Sequence, residues 1–129
     1  MREIKFRGKI AISSGWAYGH YALVKENGQE YPVIYENGKP IVVRTHTVSQ
    51  YTGLKDKHGK EIYEGDVVEA PYDGEGFTGV VVYDLSELDF KATNGQENYG
   101  SNFQYLTCAD EIKIIGNVHE NPELLRGDE

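Results

Sequence analysis

The chain has almost none of the residues that cross-link small domains. Cys108 is the only cysteine among 129 residues, which excludes an internal disulfide and zinc sites of the Cys-x-x-Cys type. A single cysteine near the end of a β-segment reads as a small buried apolar residue. Long apolar runs are also missing. The longest aliphatic stretches are Ile41-Val42-Val43 and Val80-Val81-Val82, whereas a helix that crosses a membrane needs about 20 apolar residues. The opening MREIKFRGKI is charged but has no continuous apolar segment or small-residue cleavage site behind it. No secretory signal is read there, and a cytoplasmic location is expected.

Positive charge is scarce as well. Thirteen Lys and Arg stand against twenty-one Asp and Glu, a formal charge of −8, which disfavours sequence-independent binding to phosphate backbones. One local exception exists. Lys5, Arg7 and Lys9 alternate with Ile4, Phe6 and Ile10, so a strand here would gather three cations on one face. That face is either a nucleic-acid strip or, more simply, the solvated side of an N-terminal strand.

The motifs of common chemistries are absent too: no Walker loop, Rossmann glycine pattern, nucleophile elbow or His-Glu-x-x-His helix occurs. The glycine-rich stretch from Tyr72 to Gly79 lacks the lysine and following helix of a phosphate cradle. Its Asp73 and Glu75 would repel phosphate, and it reads as a hairpin loop joining two strands. The histidines at 20, 46, 58 and 119 form no close metal-like pair. Asp56, His58, Glu61, Glu64 and Asp66 could offer oxygen to a hard cation. However, Lys57 and Lys60 intervene, and the glycine and glutamate spacing is not that of an EF-hand. We therefore expect no enzyme activity, no cofactor and no metal.

What is present is the punctuation of a β-protein. With 39% hydrophobic and 26% charged residues, the chain should fold as about one domain. Ile4 to Arg7 and Trp16 to Leu23 alternate at period two, with Gly19 marking a bulge or a close backbone approach. Asn27-Gly28 and Asn37-Gly38 each separate two β-rich runs and predict type I′ hairpins. Residues 1–50 thus read as an antiparallel meander. Further strands are expected at Lys60–Tyr63, Val67–Tyr72, Gly79–Tyr83, Asp89–Thr93, Tyr105–Thr107 and Ile112–Val118, in the manner of a sandwich or small barrel. At the end, Asn121 can cap a short helical turn over Pro122 to Leu125.

The densest stretch is QYTGLKDKHGKEIYEGDVVE, residues 50–69. Asp56 opens a tight turn that Gly59 closes, and Gly65-Asp66 starts the next strand, with Tyr63 packed beneath. Together with MREIKFRGK, WAYGHY and the terminal IIGNVHENPELL, this stretch resembles the YopX family of small phage and prophage proteins over nearly the whole chain. The matching residues are Tyr51, Gly53, Leu54, Asp56, Gly59, Tyr63, Glu64, Gly65, Asp66, Gly116, Asn117, Asn121 and Pro122. Two departures stand out: Arg44-Thr45-His46-Thr47-Val48 replaces an expected proline ahead of the barrel motif, and Tyr31 to Val43 is particular to this chain. The resemblance implies a mainly β fold whose C-terminal part is an SH3-like barrel; with the elements read above, the chain is expected to comprise the meander over 1–50, the barrel over 51–118, and a short helical turn and tail over 119–129. The resemblance implies no catalytic residues.

Ten tyrosines are the most unusual compositional feature. Tyr63, Tyr72, Tyr83 and Tyr105 fall on barrel strands and are candidates for a partner-binding surface, unless they fill the core. The expected role is that of a phage-encoded accessory protein that binds a protein partner or self-assembles into a homo-oligomer through open strand edges. Nucleic-acid binding on Lys5, Arg7 and Lys9 is the alternative.

Overall fold

Short β-rich runs separated by Asn-Gly, Asp and Gly leave little room for helix, and a computed structural model of the chain is built accordingly. It describes residues 4–72, 75–84, 89–93, 103–105 and 112–121; the side chains of 70–72, 75–77, 84, 89 and 103–105 lie outside the description. Among the described residues there are eleven strands: β1 (Phe6–Lys9), β2 (Trp16–Glu26), β3 (Gln29–Glu36), β4 (Lys39–Val42), β5 (Ser49–Lys55), β6 (Glu61–Tyr63), β7 (Asp66–Tyr72), β8 (Glu75–Asp84), β9 (Asp89–Thr93), β10 (Phe103–Tyr105) and β11 (Lys113–Asn117). They form two antiparallel sheets, ordered β4-β3-β2-β1-β5-β6 and β10-β9-β8-β7-β11. The chain divides into two units at Gly53/Leu54, within β5.

The first unit is the expected meander. Asn27 and Asn37 adopt φ of 53°, followed by Gly28 at 79° and Gly38 at 81°, and the strands close at Glu26↔Gln29 and Glu36↔Lys39. Two positive φ values in succession are the requirement of a type I′ turn. Gly19 has a different reason: a Cβ there would run into the carbonyl oxygen of Tyr35, so the close-approach reading holds. The sequence reading missed two elements, the 3-10 turn Thr45–Thr47 and β5, whose Gly53 and polar residues mask a strand. β5 returns beside β1 through Phe6↔Gln50 and Arg7↔Ser49. Ala17, Ile34 and Val43 form the buried centre, with Phe6, Ile10, Ile41 and Val48 packed around them.

The second unit repeats that order with different residues. Strands β7 to β10 form a meander, and β11 returns beside β7 with a register shift between Ile114 and Gly116. Its core is Ile62, Val68, Val81, Phe90, Ala92 and Ile112, flanked by Leu54, Tyr83 and Ile114. The expected hairpin loop at 72–79 is shorter than the glycines suggest. β7 and β8 pair up to Tyr72↔Glu75, with Phe77 opposite Ala70, because the ladder continues through Gly76 and Gly79 where neighbouring β-formers carry it. Among the described residues the five strands run from edge β10 to edge β11 and close no barrel. The helical turn expected at Pro122 to Leu125 and the reading of Cys108 lie outside the described residues.

Candidate functional site

The turn residues of the opening motif act as clamps on the backbone. Asp56 is buried, and one carboxylate oxygen accepts the N–H groups of His58 and Lys60, each at 2.9 Å. Its other oxygen accepts the N–H of Ile114 on β11 at 3.2 Å, while the Lys57 N–H donates to the Ile112 carbonyl at 2.8 Å. The turn thus occupies backbone groups along the outer edge of β11, the edge that would otherwise template another strand. Burial by itself would raise the Asp56 pKa; the N–H groups of Lys60, Ile114 and His58, with the nearby His58 ring, outweigh burial and hold it below the ordinary aspartate value. Gly59, at φ 82°, ends the turn.

Asp66 works in the same way over a shorter distance. It is buried and accepts the Tyr63 N–H at 2.8 Å, so the bond reaches back to the preceding strand rather than to its own. Gly65, at φ 92°, donates to the Val81 carbonyl and accepts from the Val118 N–H. Asn117 is a third clamp that the sequence reading left without a role: its side-chain oxygen takes the N–H groups of His119 and Glu120, both at 3.0 Å. Asp56 and Asp66 therefore spend their oxygens on backbone donors rather than converging on a cation. Among the described residues no three His, Cys, Asp or Glu side chains gather.

Two of the four tyrosines chosen from sequence pack into the core of the second unit. Tyr63 is 1% exposed and bonds Glu61 through its hydroxyl at 3.0 Å, so it belongs to the core. Tyr83 packs on that core with its ring 5.0 Å from Phe90 in an edge-on arrangement. Burial wins at both positions because they point to the inner side of their strands. Tyr72 and Tyr105 sit in β7 and β10, opposite Glu75 and Lys91, and their side chains lie outside the description.

Nor is the basic strip a free row of cations. Arg7 is 6% exposed, with its guanidinium 4.7 Å from the Trp16 ring centre and Nε 3.3 Å from the Ser49 hydroxyl. Lys9 lies over the same ring at 5.8 Å, and Lys5 lies over Tyr51 at 5.5 Å. The solvated-face reading fails at Arg7, because cation–π contact and a hydroxyl partner satisfy a charge that burial would otherwise penalise.

The first unit instead exposes a patch that the composition alone did not reveal. Tyr35 pairs across the sheet with His20 and Pro40, and Val42 pairs with Val33, so His20, Val33, Tyr35, Pro40 and Val42 share one side, with Val33 buried among them; alternation along β2 adds Tyr18. Tyr18 is 41% exposed, Tyr35 38% and Val42 43%. The signal in the sequence was the alternation of WAYGHY and VIYENGKPIV, which the expected barrel drew attention away from. Charge is distributed unevenly as well. Residues 1–53 carry seven Lys and Arg against four Asp and Glu, formally +3, while residues 54–129 carry six against seventeen, formally −11.

Two antiparallel sheets, with no group of three His, Cys, Asp or Glu side chains placed to hold a metal among the described residues, define a mainly β protein. The chain belongs to the YopX family: the family model described as YopX protein matches residues 5–126. Among solved structures it is similar to protein EF1440 from Enterococcus faecalis, with 21% identity over 98% of this chain and 100% of that one, at a TM-score of 0.49. No curated protein matches it. No helix among the described residues is long and apolar enough to cross a membrane.

Proposed function

We propose that this protein is a phage- or prophage-encoded accessory protein that works in the cytoplasm without chemistry of its own, by binding a protein partner. The observation that supports this reading is the face of β2, β3 and β4 carrying Tyr18, His20, Tyr35, Pro40 and Val42. Tyrosines supply large contact area with a polar tip and few rotatable bonds, the properties that enrich them at protein interfaces. The second unit serves as a scaffold. Its meander with a last strand returning beside the first supports an SH3-like arrangement.

Strand addition is a weaker mode for the edges described. Pro40 removes a donor from β4, the Val42 carbonyl already accepts the Ala11 N–H at 3.0 Å, and the Asp56 turn occupies β11. Nucleic-acid binding loses its main support for a related reason: the cations that would meet phosphate lie over the rings that would stack on bases.

Affinity capture with the tagged chain from host lysate, with and without nuclease, tests the proposal. A protein retained in both halves by the wild type and lost with Tyr18→Ser/Tyr35→Ser is the expected result. Equal retention by the double variant would overturn the face, and material lost on nuclease treatment would favour nucleic acid. Sedimentation of the purified chain tests a homo-oligomer built on the same face.

A further inference from the structure

The turn that sets Tyr35 against Pro40 is also chemically vulnerable. Asn37 and Gly38 are exposed, a Cβ at Gly38 would meet no atom within 4 Å, and the Asn37 amide has no hydrogen-bond partner among the described residues. Asn27-Gly28 shares all three features. In each, the backbone nitrogen of glycine can attack the side-chain carbonyl carbon of the preceding asparagine. A C–N bond forms, the glycine N–H proton is lost to solvent base, and the amide nitrogen leaves as ammonia. Water then opens the five-membered imide at either carbonyl, giving aspartate or isoaspartate, so the sum is Asn plus water to Asp or isoAsp plus ammonia.

We propose that Asn37 is a self-modification site that ages the exposed face, and that it converts faster than Asn27. Ring closure turns Asn37 about its Cα–C and Cα–Cβ bonds to bring the Gly38 nitrogen onto the side-chain carbon, a rotation that the paired hairpin restrains, so the rate follows local opening. The two turns differ in what must open. Asn27 joins β2 and β3, which pair from Glu26↔Gln29 through His20↔Tyr35. Asn37 joins β3 to the edge strand β4, which pairs from Glu36↔Lys39 to Val33↔Val42 with one further bond from the Val43 N–H to the Pro32 carbonyl at 3.1 Å, a shorter ladder than that of β2 and β3. The edge hairpin therefore opens at lower cost.

The consequence reaches the proposed face, and this step alone rests on the reading given above. Isoaspartate routes the main chain through the side-chain carbon, adding one backbone atom to a two-residue loop that tolerates none. The pairing of Tyr35 with Pro40 and of Val33 with Val42 is lost with it. A negative charge is added at the same place, in a unit that is otherwise formally positive.

The test is peptide mapping by mass spectrometry of the intact folded chain, aged at neutral and mildly alkaline pH, with peptides 24–31 and 34–41 as unfolded references. The expected result is base-accelerated isoaspartate at Asn37, severalfold faster than at Asn27 once each is divided by its own peptide. Conversion at Asn27 that equals or exceeds Asn37, or none at Asn37 while its peptide converts, would overturn the proposal. Asn37→Gly keeps a turn sequence that type I′ accepts and cannot form the imide. Aged wild-type protein should lose the β3–β4 amide protection that aged Asn37→Gly retains, and equal protection in both would refute the structural consequence. These readouts need no partner, so failure of the binding reading leaves them intact.

Discussion

The two units share one strand order and are held together by different means. Each is a four-strand meander whose fifth strand returns beside the first, β4-β3-β2-β1-β5 in one and β10-β9-β8-β7-β11 in the other. In the first, neighbouring residues set the geometry: two Asn-Gly turns fix the hairpins, and their pairing follows from the loops. In the second, single side chains reach across the chain. Asp56 takes the N–H of Ile114, 58 residues away. The same topology thus arises once from local turn chemistry and once from long-range carboxylate–backbone bonds. The locally built unit carries the exposed rings of Tyr18, Tyr21 and Tyr35.

That contrast can be broken most directly in the second core. Phe90→Ala removes a ring that is 2% exposed and in contact with Tyr83, and should cost about 3–5 kcal/mol in urea unfolding. A cost near that of a surface change would mean the core does not hold this unit. Asp56→Ala comes next, at about 3 kcal/mol, since it leaves the N–H groups of His58, Lys60 and Ile114 without their acceptor. Amide exchange should rise at Ile114 and leave the Asn27 and Asn37 hairpins unchanged; uniform loss of protection would show that the two kinds of unit are not separable.

The pH dependence sharpens the same point. The folded pKa of Asp56 lies below its unfolded value near 3.8, so its contribution is complete above about that pH and is lost as pH falls through the lower folded value. Acid unfolding of the wild type should be steeper below pH 3.8 than that of Asp56→Asn; superimposable acid limbs would remove the carboxylate from the account. In the first unit, Gly19→Ala should cost about 1–3 kcal/mol because the new Cβ meets the Tyr35 backbone. A thermal melt unchanged from wild type would show that β2 and β3 can separate there without penalty. The smallest effect is expected for Tyr18→Ser/Tyr35→Ser, within roughly 0.5 kcal/mol per site on stability, with the loss appearing only in partner capture.

Particular residues show why some of this was legible in sequence. Asn27-Gly28 and Asn37-Gly38 encode their hairpins within two residues, and Asp56 with Gly59 encodes a turn within four, because positive φ and short side-chain bonds are local properties. β5 was missed for the opposite reason: Ser49, Gln50, Thr52 and Gly53 carry little strand signal, and only pairing with β1 makes them a strand. Whether Tyr63 fills the core or a surface was not legible, because period two says which residues share a side but not which side is covered. Tyr63 and Tyr35 look alike in sequence, and one lies in the core while the other faces solvent.

The sequence by itself determined the family, the mainly β character, the two type I′ hairpins and the Asp56 turn, all of which depend on residues close together in the chain. The tertiary structure alone decided that Asp56 would also clamp β11, that Arg7 would be buried on Trp16, and that the exposed aromatic face would belong to β2, β3 and β4. Those outcomes depend on which strands become neighbours. That choice is made by burying apolar area from segments far apart in the chain, a property of the whole fold that no local run of residues carries.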